Sequence, residues 1–148
     1  MKFPSKRNSF TITPKGWGRE VHVHNNQDYC GKLLEVHEGG TCSLHFHINK
    51  AETFYVLKGR IALSLFYDLH EEEVTLNEGD AIDIPPFLAH SFRGLEESTI
   101  LEISTFDDPN DSVRIAPGDS QRKRGILPID EDKHREWEER CKRINGKS

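Results

Sequence analysis

Apolar positions in this chain recur in short runs, and each run is closed within a few residues by glycine, proline, asparagine or aspartate. The segments 29–37, 42–48, 53–58, 60–68, 73–76, 81–84, 89–93 and 98–106 show two-residue alternation or a brief continuous apolar stretch. Turn signals separate them at 39–40, 49–50, 68–72, 77–80, 85–86 and 94–97. Many short strands at regular spacing, with no sustained helical period, predict an all-β barrel or sandwich. Upstream, 1–14 is polar and reads as an arm with a short edge strand at 10–12, and a further strand is expected at 21–24. The interval 107–129 holds Pro109, Pro117, Gly118, Gly125 and Pro128 and reads as loop. From Asp130 the pattern turns helical, with an Asp N-cap and an apolar stripe at Trp137, Cys141 and Ile144. A helix this short needs the barrel or a second subunit to dock on. The expected organisation is therefore an arm at 1–14, a barrel over 15–114, a loop at 115–129 and a C-terminal helix at 130–148.

Composition narrows the setting. At 148 residues the chain fits one domain, and 34% hydrophobic against 30% charged residues implies a small core under a well-solvated surface. A net charge of −5 argues against general affinity for nucleic acid or anionic membrane, and no apolar run is long enough to span a bilayer. The short basic cluster at 122–124 reads as a solvated loop. The first ten residues lack the apolar stretch of a signal peptide, and three cysteines form no framework spacing, so a cytoplasmic setting with reduced thiols is expected.

Candidate chemistry is concentrated between Gly39 and His90. His45 and His47 stand at i and i+2, so on a strand both rings project from one face. Glu52 follows a turn signal and opens the next apolar run, so a strand–turn–strand unit brings its carboxylate beside the two imidazoles. His90 supplies a third. Three imidazoles and a carboxylate suit one divalent transition ion such as Mn, Zn, Fe, Co or Ni. Lys50 lies in the turn between His47 and Glu52. Glu102 interrupts the apolar strand 100–103, where a carboxylate is costly unless its face is wet or paired, so a polar cavity is expected on that side. The opposite face, with Leu101, Ile103 and Thr105, is the more apolar and is expected to pack between sheets or subunits. A second histidine pair, His22 and His24, would also share a strand face but has no partner carboxylate at a useful spacing.

The spacing Gly39, His45-x-His47, Glu52, Gly59 resembles the first conserved motif of the cupin superfamily. Gly79, Pro85 and His90 resemble the second, except that Phe87 stands where cupins usually have glycine and Gly94 where they usually have asparagine. The resemblance implies a double-stranded β-helix, or jelly-roll, barrel with a metal in its mouth, held by His45, His47, Glu52 and His90. More narrowly, His45-x-His47-x-x-Lys50-x-Glu52, followed by Pro85, His90 and Glu102, resembles cupin-type D-lyxose isomerases. That likeness implies Lys50 and Glu102 as the catalytic pair. Tyr29-x-x-Lys32 and the segment from Asp111 to Arg114 resemble elements of type-II mannose-6-phosphate isomerases, as does the Lys-x-Trp-Gly element at 15–18. This implies Lys32 and Arg114 as candidates to meet a sugar phosphate. The expected activity is metal-dependent aldose–ketose isomerisation of a sugar, phosphorylated or not, through an enediolate, by a homodimer.

Three other readings share parts of this pattern. They are a non-haem iron dioxygenase, a metal-containing module that binds a sugar or nucleotide-sugar without turnover, and a metal-free cupin epimerase. Lys50 and Glu102 favour the isomerase over the binding module. Since neither is a ligand, both are expected to be separable from metal binding and from the fold.

Overall fold

The computed structural model describes residues 2–68 and 70–123, together with residue 139. The expected helix at 130–148, apart from that single helical position, lies outside the described residues, as do 124–129 of the expected loop. Eleven strands form two antiparallel sheets. They are β1 (Thr11–Lys15), β2 (Gly18–Asn25), β3 (Cys30–Val36), β4 (Leu44–His47), β5 (Glu52–Lys58), β6 (Arg60–Tyr67), β7 (His70–Asn77), β8 (Ala81–Ile84), β9 (Ala89–Gly94), β10 (Ser98–Ser104) and β11 (Ser112–Ala116). One sheet runs β1-β2-β3-β10-β5-β8, and the other runs β11-β4-β9-β6-β7. This two-sheet jelly roll is the all-β architecture that the alternation predicts.

The ladder register stacks side chains in layers. Leu34, Ile100 and Val56 are cross-strand neighbours on β3, β10 and β5, all turned inward and essentially inaccessible. One step along, the same strands place Lys32, Glu102 and Phe54 side by side. The next step places Cys30, Ser104 and Glu52 together. Apolar layers therefore fill one end of the barrel, with Ile61, Leu63 and Phe92 contributed by the facing sheet, while polar layers line the other. A second apolar cluster, centred on Phe46, Ala89 and Ile115, lies on the reverse of the five-stranded sheet, behind the imidazoles of β4.

The structure departs from the sequence reading in four places. The interval expected as loop from 107 onward contains β11, paired with β4, and a five-residue helix α1 (Asp119–Lys123). Only Val113 and Ile115 alternate there, too short a signal beside two prolines. The turn expected at 68–72 is tighter, because His70, Glu71 and Glu72 already pair with β6. Their strand is an exposed sheet edge, and its run of glutamates hides any alternation while discouraging edge-to-edge association. The arm contributes its last residues to an edge strand, β1. Finally, a bulge after His22 separates the two histidines of β2. His22 pairs with Lys32 on the inner face, whereas His24 pairs with Gly31 and stacks on Tyr29.

The two departures from the cupin motifs have distinct backbone settings. Phe87 has φ +70°, the left-handed region that favours glycine, and its ring packs near Phe46 at a centroid distance of 6.4 Å. Packing against the reverse cluster therefore offsets a backbone cost of about 1–2 kcal/mol. Gly94 lies so close to His37 that a Cβ would overlap the His37 carbonyl oxygen. Gly59, in the β5–β6 turn, has φ +82°, and a Cβ there would overlap Ser98, whose hydroxyl bonds the Arg60 amide at 2.9 Å. Gly59→Ala should thus combine left-handed strain with a displaced buried hydroxyl. We expect about 2 kcal/mol or more of lost stability, read as a lower denaturation midpoint at unchanged slope.

Candidate metal centre

His45 and His47 leave β4 on its inner face, while Phe46 between them enters the reverse cluster. His45 stands directly opposite His90 of β9 in the ladder. The ring centroids of His45 and His90 are 4.6 Å apart, those of His45 and His47 5.1 Å, and those of His47 and His90 6.0 Å. One nitrogen from each ring falls within 4.8 Å of the others. Glu52 opens β5 in the opposite sheet, with its carboxylate oxygens 3.5 Å from His47 Nε2 and 3.1 Å from His90 Nε2. The three imidazoles named from spacing thus converge, and the Glu52 carboxylate stands against two of them.

Hydrogen bonding fixes what these groups present there. His90 Nδ1 donates to the Leu88 carbonyl at 2.9 Å and His45 Nδ1 to the Ser43 carbonyl at 2.8 Å, which leaves the Nε2 lone pairs free. His90 Nε2 and Glu52 Oε2 face each other at 3.1 Å, yet both are buried without a hydrogen-bond partner, and so is His47 Nδ1. Two facing acceptors at that distance repel unless a cation lies among them. Burial, reinforced by the neighbouring His90 and His47, holds the His45 imidazole well below its usual range and thus neutral. Burial alone would raise the Glu52 carboxyl, but the facing His47 and His90 rings and the Lys50 charge keep it well below the usual carboxylate range. Neutral imidazole, ionised carboxylate and orphaned lone pairs are the donor set that a divalent ion requires.

The turn joining His47 to Glu52 is organised by a residue that sequence reasoning left without a role. The buried Asp111, just before β11, accepts hydrogen bonds from the amides of Ile48 (3.1 Å), Asn49 (3.0 Å) and Lys50 (2.9 Å). It accepts from all three backbone donors of the turn, and the Lys50 amide among them would otherwise be buried unpaired. The only signal in the sequence was a carboxylate beside an Asn-Lys turn some sixty residues away in the chain.

Lys50 projects from this turn into the cavity, where its three N–H donors meet three carboxylates. They are Glu52 (2.8 Å), Asp107 (2.8 Å) and Glu102 (3.2 Å). Burial opposes its charge, but these partners win and the ammonium pKa is raised. Glu102 is buried on the inner face of β10, in the cavity that the metal ligands share, as its position in the strand implied. Burial, with the Glu52 charge, pushes its carboxyl up to about 7 against the pull of Lys50 and Lys32. Asp107 bridges Lys50 and Lys32, and although burial opposes its ionisation the two lysines hold its carboxyl down at about 2. Asp107 is itself clamped by Asn25, whose amide side chain makes two 3.0 Å bonds to the Asp107 backbone. Neither residue was legible from spacing.

The two basic residues proposed to meet a phosphate fare differently. Lys32 is buried and already paired with Asp107 and, at 3.6 Å, Glu20. Arg114 lies opposite His45 on β11, is exposed, lines the cavity and has no charged partner among the described residues. The cavity has a volume of about 340 Å³. Cys42 also lines it, but burial pushes its thiol up to about 12, so it offers no nucleophile. Trp17 packs edge-on to Phe92 and closes the cavity from below.

The sequence profile of the cupin family matches residues 7–128. The chain belongs to the cupin family. A search of curated protein sequences gave no match. Among solved structures, this cupin is similar to oxalate decarboxylase from Bacillus subtilis, with 19% identity and a TM-score of 0.63 over 72% of this chain and 30% of that one. It is similar also to the capsular polysaccharide assembling protein CapF from Staphylococcus aureus, at 19% identity and a TM-score of 0.63 over 72% of this chain and 34% of that one. KdgF from Halomonas sp. matches with 20% identity and a TM-score of 0.56, over 62% of this cupin and 82% of its own length. The chain thus spans about a third of the first two proteins, and at these identities the likeness is one of fold.

If the imidazoles hold an ion, His47→Ala and His90→Ala should each lower metal content and thermal stability together, because the ion binds only the folded site. Elemental analysis alongside calorimetry checks this, and unchanged stoichiometry in both variants would remove the site as drawn. Asp111→Ala removes the acceptor of three turn amides, one of them buried, and should cost about 1–3 kcal/mol. It should also weaken metal affinity, although Asp111 is not a ligand.

Proposed function

We propose that this cupin is a metal-dependent isomerase that interconverts an aldose and a ketose. The observation that carries the reading is the buried Glu102–Lys50 pair in the cavity that also holds the imidazole cluster. Both side chains are buried and line the cavity beside the imidazoles, 3.2 Å from each other, where an acid–base pair is placed to move a substrate proton. The motif likeness to cupin-type D-lyxose isomerases supports the same reaction class. His45, His47, Glu52 and His90 would hold one divalent ion, which supplies Lewis-acid polarisation of the substrate carbonyl.

The protein's own residues then account for the protons. Glu102, ionised, takes the proton from C2 of the aldose, and the electron pair left behind forms the C1–C2 double bond of an enediolate. Glu102 returns that proton to C1 as the ketose forms, while the O2 hydroxyl proton passes to O1. Lys50 begins with every N–H engaged, so it can serve a substrate oxygen only by releasing a carboxylate. Protonation of Glu102 removes one of those charges and frees the N–H that faced it. Base action by Glu102 and oxyanion stabilisation by Lys50 are thereby timed to each other. Arg114, unpaired at the cavity mouth, is the better placed of the two basic candidates for a phosphate on the substrate, and Lys32 instead anchors Asp107.

Glu102→Gln should retain the fold and the ion but lower turnover by about 10²–10⁴-fold. Near-native isomerisation by the metal-loaded variant would exclude Glu102 as the base, and oxygen consumption in place of isomerisation would point to a dioxygenase. The base must be ionised, so activity should rise with pH through an acid limb at or below about 7, since a nearby divalent ion favours the carboxylate. Lys50 is not separable in the same way, contrary to the expectation from sequence. Lys50→Met would leave the buried Glu102 without its ion-pair partner and Glu52 without its lysine, while Asp107 keeps Lys32, so we expect a loss of about 3–5 kcal/mol in denaturation as well as of activity.

A further inference from the structure

An aldose in water is overwhelmingly a cyclic hemiacetal, so a protein that acts on its carbonyl needs the ring opened first. Glu102 and Lys50 both act on the open chain, and one polar grouping of the same cavity stands unused. His22 lies on the inner face of β2, in the row His22–Lys32–Glu102 that crosses β2, β3 and β10. Its ring lines the cavity, as do Thr13, Lys15 and Glu20 of the β1–β2 hairpin. That hairpin is fixed at both ends. The Gly16 amide donates to Ser120 Oγ at 2.9 Å, and Asn25 is bonded to the Asp107 backbone.

The surroundings of the ring select its tautomer. His22 Nε2 lies 3.1 Å from Thr13 Oγ1 and 3.1 Å from Glu20 Oε2. A lone pair facing the carboxylate at that distance would be repelled, so Nε2 carries the proton and Nδ1 is the accepting nitrogen. Nδ1 has no hydrogen-bond partner among the described residues, yet it is not sealed from solvent. Burial, and then the Lys32 charge, hold this imidazole below its usual range against the pull of Glu20 and Asp107, so it is free to take a proton. Glu20 has Lys15 at 3.5 Å and Lys32 at 3.6 Å on its other sides.

We propose that His22, oriented by Glu20 and Thr13, opens and closes the ring of an aldose, which makes this cupin an aldose mutarotase as well. Nδ1 takes the proton from the anomeric O1 hydroxyl, and the electron pair of that O–H bond becomes the second bond of the C1 carbonyl. The C1–O5 bond breaks, its pair stays on O5, and O5 takes the same proton back from Nδ1. No proton or electron is left over, and reclosure onto the other face of C1 gives the other anomer. Two strand spacings, about 9.5 Å, separate the His22 and Glu102 backbones, so side chains reaching inward from both can address O5 and C2 of one sugar. The step serves the isomerase reading and rests on it for its purpose, but mutarotation itself produces no ketose.

Proton NMR of freshly dissolved single anomers of D-lyxose, D-mannose and D-glucose reads the activity directly. The full chain should speed the approach to anomeric equilibrium of at least one of these sugars beyond the rate in buffer. His22→Gln should lower the protein-catalysed rate at least about 10²-fold, with metal content and circular dichroism unchanged. Glu20→Gln keeps the imidazole but removes its orienting charge, and should lower the rate at least about tenfold. Anomer exchange without any ketose would support the His22 pair and remove the isomerase, whereas ketose formation without faster exchange would do the reverse. No acceleration of any of the three sugars by the native protein would overturn the proposal. So would undiminished acceleration by His22→Gln or by Glu20→Gln.

Discussion

The register of β3, β10 and β5 is the constraint on which the rest of the structure depends. It aligns Leu34, Ile100 and Val56 into the base of the core, then Lys32 and Glu102 into the cavity above. Because side chains alternate faces, a slip of one residue would turn Leu33 and Leu101 inward and put the two charges in solvent. The core, the polar cavity and the outward turn of Leu33 and Leu101 are thus consequences of one pairing. The apolar layer below makes that pairing unambiguous, since only one register buries it.

Within the cavity, each lysine is surrounded by acids. Glu52, Glu102 and Asp107 surround Lys50, while Asp107 and Glu20 attend Lys32. Buried ions persist only when their hydrogen bonds are complete, and here the acids outnumber the lysines. That excess leaves room for a further positive charge, and the orphaned nitrogens at the other side of Glu52 are where it is wanted. Glu52 belongs to both groupings, which ties any ion on the imidazoles to the acid–base pair beyond.

Much of the site could be read from the sequence because it depends on local periodicity. Two histidines at i and i+2, a carboxylate after a turn and a glutamate inside an apolar strand each announce their face without knowledge of the fold. The same rule set Glu102 opposite Leu101 and Ile103 correctly. Asp107, Asp111 and Asn25 depend on chain segments that meet only in three dimensions, and all three sit in polar stretches that read as loop. Arg114 and Lys32 looked alike as lysine-or-arginine candidates, and only the positions of Asp107 and Glu20 tell them apart. The bulge after His22 was illegible for a similar reason: one unpaired residue reverses a face without altering the pattern of residue types.

The hydrogen bonds from Asp111 to the β4–β5 turn have a consequence for the order in which the molecule is made. Every imidazole and carboxylate of the metal centre lies in the first ninety residues, yet the turn that spaces them is closed by a residue that leaves the ribosome later. A nascent chain therefore carries the complete donor set for some time before it can hold that set in shape. Any ion taken up there would meet a formed turn only once β11 is in place, and a chain stalled before Asp111 would leave the amides of that turn without their acceptor.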